Sequence, residues 1–182
     1  SLDRARALSR ASDPGRASRP FDVERDGFVM GDGAALLLLE RERSARKRGA
    51  RVLARVRGYG SLTDAHHLTA PEPGGRYEAE AIRAALDDAG CEVTTVFAHA
   101  TSTVVGDIAE LRAINAVFGE RPPVVTALRG HLGHAMAAAG ATSAVAGILG
   151  MRAGVVPHTL GTRAVEPEAR FDLVLGEPRR RN

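Results

Sequence analysis

Val93-Thr94-Thr95-Val96-Phe97-Ala98-His99-Ala100-Thr101-Ser102-Thr103 passes from an apolar, β-branched run into a cluster of hydroxyls. Such a run, bounded by polar residues, reads as a buried strand over Val93–Ala98. Asp107 to Phe118 has helical spacing and ends at Gly119, a residue suited to the left-handed turn after a helix. Val124 to Leu128 is a second apolar strand, Arg129 to Gly133 a turn, and His134 to Arg152 a long helix of small residues. Strands that alternate with helices imply an α/β layered fold with at least part of its sheet parallel.

Upstream, Tyr77–Ala89 is an amphipathic helix stopped by Gly90. Ser61 to Arg76, rich in Thr, His, Pro and Gly, is a long loop of the kind that carries function. Arg51–Gly60 alternates apolar residues with Arg, as a strand with one solvated face does. Arg41–Arg48 reads as a short polar helix, and Phe28–Leu39 as paired strand segments around Gly31-Asp32-Gly33. Residues 1–20 are an irregular lead-in. Strand pieces near Val155 and over Phe171–Leu175 complete the chain.

The 182 residues are 44 % hydrophobic and 4 % aromatic, with no Trp, which places a core of Ala, Val and Leu in one domain. The charge of +3 is modest, and acidic residues are interspersed with the Arg, so nucleic acid is discounted as a partner. The single cysteine, Cys91, excludes an internal disulfide and agrees with a cytoplasmic location. No signal segment opens the chain, and no metal cluster is evident. The run Ala135–Met151 is Ala- and Gly-rich and reads as a buried helix, with no membrane role.

His99 and His134 each follow a strand, at the carboxyl-end crevice where α/β sheets bind ligands. A histidine opening a helix stays neutral beside the positive end of the dipole and donates one N–H. Two such donors on one oxygen stabilise an enolate or oxyanion. Either histidine alone reads equally well as a turn residue. Thr101-Ser102-Thr103 reads as a helix cap or as a binder of an extended polar substrate arm. Asp107 and Glu110, three apart in a first turn, suit the helix dipole as well as a site. Gly31-Asp32-Gly33 lacks the spacing of a phosphate loop.

Five segments in order resemble the β-ketoacyl-acyl carrier protein synthases, the KAS II-type members of the thiolase-like condensing enzymes. They are Ser18-Arg19-Pro20-Phe21-Asp22; Arg25 to Ala34; Asp64-Ala65-His66-His67-Leu68-Thr69-Ala70-Pro71; His99 to Thr103 with Gly106, Asp107 and Glu110; and Gly133-His134 with Ala138-Ala139-Gly140-Ala141. The resemblance implies a thiolase-like layered fold, here its C-terminal half over 1–182, with a mixed sheet packed by helices. It implies a decarboxylative Claisen condensation in fatty-acid or polyketide synthesis, an acyltransferase reaction. His99 and His134 would serve decarboxylation. Thr69, Thr101 and Thr103 would bind the phosphopantetheine arm, with Asp107 and Glu110 in support.

No resident cofactor is expected, since phosphopantetheine arrives on the acyl carrier protein. The implied partners are that carrier protein, the N-terminal half of the synthase, and a second subunit in a homodimer or heterodimer. Arg129 stands where the family has lysine, and an electrostatic contact with Asp107 or Glu110 is expected of it. Phe97 replaces a common Asn, and Ala100 a Gly. The nucleophilic cysteine belongs to the family's N-terminal half and is absent from this chain; Cys91 matches no motif. The chain also stops before the family's Gly-Phe-Gly-Gly-Thr loop, so it is expected to be inactive alone. Two other readings compete: a non-catalytic chain-length factor, which has no need of the two histidines, and an Arg-rich binding module built on Arg41–Arg57.

Overall fold

The computed structural model describes residues 7–181, so residues 1–6 of the lead-in and Asn182 lie outside it. The elements are α1 (Glu42–Lys47), α2 (Arg76–Ala89), β1 (Thr95–Ala98), α3 (Val104–Phe118), β2 (Val124–Ala127), α4 (Arg129–Leu132), α5 (Ala139–Ala153), β3 (Val155–Val156), β4 (Asp172–Leu173) and β5 (Arg179–Arg180). β2 lies between β1 and β4, all three parallel. β3 and β5 form a separate antiparallel pair. All four residues of β2 are buried, as expected of a central parallel strand covered on both faces.

The core gathers Phe21, Ala98, Ala100, Leu111, Ile114, Val125, Ala127 and Leu173. Its largest ring, Phe21, meets Phe171 edge to face at 5.3 Å. With aromatics scarce, elements close through small residues: a Cβ on Gly75 would fall 2.1 Å from the Ala109 carbonyl oxygen, where α2 meets α3. β1 and β2 are in register to their last residues, Ala98 opposite Ala127. The segments that leave them therefore emerge side by side.

Five expectations need correction. Phe28–Leu39 does not form paired strands. It makes two isolated bridges, Leu8 to Phe28 and Met30 to His134, and Leu36, Leu38 and Leu39 stand exposed. Arg51–Gly60 likewise has no strand partner among the described residues. Gly58 and Gly60 instead approach the backbone of α2 at Ala85, Ala89 and Ala81. In both segments the hydrophobic alternation is present but no neighbouring backbone completes a ladder.

The long helix expected from His134 begins only at Ala139, after the 3-10 turn Met136–Ala138. Gly133, at φ 66 and ψ −171, breaks the chain direction. His134 then donates its N–H to Val29 O at 2.7 Å and accepts from Gly31 N at 3.1 Å. Those bonds tie it to the 29–31 segment and remove it from the helix. Arg129–Leu132, expected as a turn, is one short helix.

α5, expected from the sequence as a buried helix, is instead half-exposed, with only Ala139 buried. Its Gly147 lies against the Phe97 ring on one side, and Leu149 and Met151 stay open on the other. By length and composition alone Met136–Ala153 could cross a membrane, at a mean hydropathy of 1.2.

Candidate active site

The register of β1 with β2 sets the site. His99 follows Ala98, and Leu128-Arg129 follows Ala127. His134 returns to the same place because its backbone is pinned to Val29 and Gly31. The two imidazoles meet edge to face, with centroids 5.1 Å apart and planes at 80°. On its far side His134 meets Phe28 at 5.1 Å and 88°.

Both histidines are held below the usual imidazole range. For His99 the surrounding protein is the larger cause and the Arg129 charge the second, although part of the ring remains exposed. For His134 burial comes first, then His99 and Arg129. Neutrality therefore does not depend on a helix dipole, which His134, five residues before Ala139, does not face. Each neutral ring offers one N–H and one lone pair. His134 Nδ1 is buried with no hydrogen-bond partner.

A frame of buried polar groups fixes the loop after His99. Glu110 accepts the His99 and Ala100 N–H groups, both at 2.7 Å, and burial pushes its carboxyl up. Asp107 accepts Ser102 N at 3.0 Å and Phe21 N at 2.8 Å. Burial raises Asp107 to about 7 against those bonds and the nearby Arg25. Ser102, at φ 72, and Ala100, at φ 26, are in left-handed backbone, a cost of about 1–2 kcal/mol each for a residue with a Cβ. Ser102 offsets its cost by accepting Arg19 N at its Oγ and Gly27 N at its carbonyl.

Arg25 is the residue that sequence reasoning quoted without giving it a role. Its guanidinium reaches Thr103 O, Val104 O, Asp22 O and Glu166 Oε2 at 2.6–3.1 Å and lies 3.9 Å from Asp107. It thus bolts the start of α3 to Asp22 and Glu166. The signal for it was the run Arg25-Asp26-Gly27 itself, since an Arg beside apolar Phe28 and Val29 needs buried acceptors.

Thr101 and Thr103 come together, with hydroxyls 3.1 Å apart. Thr69 does not join them by any contact. It is exposed in the 61–75 loop, and its N–H donates to His67 Nδ1 at 3.2 Å. That loop is braced by Asp64, which accepts His66 N and Glu72 N.

Arg129 is buried as expected of a site residue, but it does not hydrogen-bond Asp107 or Glu110. Its Nη2 reaches Ala139 O and Ser143 Oγ, each at 3.3 Å. Asp107 is held by Ser102 N and Phe21 N and Glu110 by the His99 and Ala100 N–H groups, while the expected electrostatic contact is kept with Glu110, whose charge acts on Arg129. Ser143 had escaped notice; its signal was a hydroxyl pair, Thr142-Ser143, in an otherwise Ala- and Gly-rich helix. A cavity of about 350 Å³ lies against His99, Arg129 and Ser143.

Cys91 is exposed before β1, whereas His99 follows it. At about 3.3 Å per strand residue the two stand at opposite ends of the sheet. Among the described residues no group of three or more His, Cys, Asp or Glu is placed to hold a metal. In the Arg41–Arg57 region Arg46 and Arg55 pair with Glu42, and Arg48 with Glu40.

Residues 53–163 match the family model of the β-ketoacyl synthase C-terminal domain, and residues 1–45 that of the N-terminal domain. The 3-oxoacyl-[acyl-carrier-protein] synthase 2 of Mycobacterium tuberculosis is 46 % identical over 170 residues, covering 92 % of this chain and 41 % of that protein. The Mycobacterium leprae protein of the same name is 42 % identical over 169 residues, with 91 % and 40 % covered. The chain thus spans less than half the length of these curated relatives.

Among solved structures, a type II polyketide ketosynthase in complex with its acyl-carrier protein and bound to a hexaketide superposes with a TM-score of 0.93. It is 33 % identical and covers 99 % of this chain and 46 % of its own. A β-ketoacyl synthase from Burkholderia phymatum gives 0.92 at 37 % identity, covering 98 % and 44 %. The ishigamide ketosynthase/chain length factor gives 0.89 at 39 %, covering 99 % and 44 %.

Proposed function

Because the chain belongs to the β-ketoacyl synthase family and has its thiolase-like α/β fold, we propose that it supplies the decarboxylation half of a condensing site. The observation that carries this reading is the His99–His134 pair, two neutral imidazoles 5.1 Å apart beyond the carboxyl ends of parallel strands. The extender is a malonyl thioester on acyl carrier protein. Its thioester oxygen lies between the two imidazole N–H groups. The bond from the methylene carbon to the carboxylate breaks, CO₂ leaves, and the electron pair passes into the enolate whose oxygen the histidines hold.

The enolate carbon then attacks an acyl thioester carried on a cysteine of the N-terminal half. The carbon–carbon bond forms, the thiolate leaves, and the β-ketoacyl chain stays on the carrier. Thr101 and Thr103 offer paired hydroxyls to the phosphopantetheine amides, and Thr69 reaches the arm only with movement of its loop. Glu110 and Asp107 are positioning residues that fix the backbone around His99. Arg129 adds positive charge that keeps both imidazoles neutral. The carrier protein is the partner, with the rest of the synthase completing the site in a cytoplasmic dimer.

A chain-length factor is the alternative, and the ishigamide neighbour contains one, but two histidines paired edge to face at the ends of parallel strands are a feature such a subunit has no need of. The experiment is acyl transfer from labelled acyl carrier protein to the complete protein, followed by malonyl carrier protein. A β-ketoacyl product is expected, with the label on a cysteine other than Cys91. Label turning over on Cys91, or no product, would defeat the reading.

A further inference from the structure

His131 has no part in the chemistry described above, yet it stands in α4 between Arg129 and His134. Its Nε2 lies 2.8 Å from the His158 carbonyl oxygen. A carbonyl only accepts, so Nε2 carries the ring proton and donates it. The two imidazoles also meet edge to face, with centroids 4.8 Å apart and planes at 80°.

His158 belongs to a stretch that runs along the end of β2. Pro157 O accepts the Thr126 hydroxyl at 2.6 Å, and Thr159 Oγ1 accepts Ala127 N at 3.0 Å. Thr159 is buried and donates its own N–H to Val174 O, just past β4, at 2.7 Å. Residues 157–160 are therefore fixed to the sheet. Beyond Ala127 the chain enters α4, where a Cβ on Gly130 would fall 2.0 Å from Leu160 O. The His131 bond adds a side-chain tie to this same close approach.

Three residues after His131, His134 must set its ring against His99. The His134 backbone is held to Val29 and Gly31. Gly133 lies between the two anchors and, without a Cβ, resists rotation little. The placement of His134 thus depends on how firmly α4 is held on the other side of Gly133.

We propose that His131 is a positioning residue for His134, latching α4 to the 157–160 stretch through the His158 carbonyl. The proposal rests on the decarboxylation reading of His134. His131 acts through α4 and the Gly133 turn and exchanges no proton with the substrate. Because its ring is exposed, the effect on rate is that of one neutral hydrogen bond, about two- to tenfold.

The test is kcat and KM for malonyl decarboxylation by the complete protein, with acyl loading of the cysteine followed in parallel. His131→Leu should lower kcat by that factor and leave KM and acyl loading unchanged. His131→Gln, whose amide nitrogen reaches the same carbonyl, should restore kcat. Wild-type kcat in His131→Leu, no recovery in His131→Gln, or loading that falls in step with kcat overturns the proposal. Should His131→Leu fail to fold, His131→Asn, whose shorter amide does not reach His158 O, takes its place. A wild type that does not decarboxylate malonyl carrier protein defeats the reading of the site, and the latch is then judged without catalysis. In the complete protein labelled at histidine, the His134 ring resonances should move in His131→Leu and return in His131→Gln. Resonances unmoved in His131→Leu overturn the latch.

Discussion

The His99 and His134 rings meet edge to face at 5.1 Å, and each contributes to the other's environment. His99 is one of the groups that keep His134 neutral. A proton on His99 therefore disfavours a proton on His134. The arrangement needs three segments far apart in sequence: the end of β1, the Gly133 turn and the Val29–Gly31 backbone.

Glu78, in the first turn of α2, gives the stability of the protein a pH dependence. Burial, then Glu110, Asp64 and Glu72, raise its carboxyl from 4.5 to about 7, and its Oε2 is buried without a partner. A raised acid stabilises the fold while it is protonated. That contribution is complete below 4.5 and is lost as pH rises through 7. Glu78→Gln should thus raise Tm relative to wild type at pH 8 and change it little at pH 4. Equal shifts at both values would show that the carboxyl is not desolvated.

Gly31 sets the place of His134. A Cβ there would fall 2.1 Å from the Leu132 carbonyl oxygen, and Gly31 N donates to His134 O. Gly31→Ala should push the turn away and lower malonyl decarboxylation at least about tenfold, the scale expected for a misplaced catalytic group, while circular dichroism stays near wild type. Unchanged decarboxylation would mean that the turn finds its position without this contact.

Helices α2 and α3 and strands β1 and β2 were legible because local pattern decides them: helical spacing with a terminal glycine, or a short apolar β-branched run. The strands expected in Phe28–Leu39 and Arg51–Gly60 were not. Alternation announces a face, but a strand exists only where another backbone meets it. The helix expected from His134 failed for the converse reason, since a tertiary pairing with Val29 and Gly31 overrode good helix formers. His99 and His134 were legible from their positions after strands. The Arg129–Ser143 contact was not, because it joins a strand end to a helix face fourteen residues on.

Arg25 should prove as costly to lose as any residue of the core. Its side chain is 4 % exposed, and it binds Glu166 and three carbonyls. Arg25→Met leaves those acceptors buried and unmet, and should destabilise by about 3 kcal/mol. Urea denaturation of the complete protein measures it. A loss below about 1 kcal/mol, the scale of an exposed ion pair, would show that water replaces the guanidinium.

The central claim is that His99 and His134 jointly hold the enolate oxygen. The most direct measurement is CO₂ release from malonyl carrier protein by the complete protein, in wild type, His99→Ala, His134→Ala and the double variant, with acyl loading of the cysteine followed in parallel. Each single variant should lose about 10²- to 10³-fold in decarboxylation, as for removal of one oxyanion donor, and the double variant less than the product of the two, as for groups acting as a unit. Acyl loading should stay within a few-fold of wild type. Decarboxylation within a few-fold of wild type in either single variant, or loss of loading in step with it, would contradict the account.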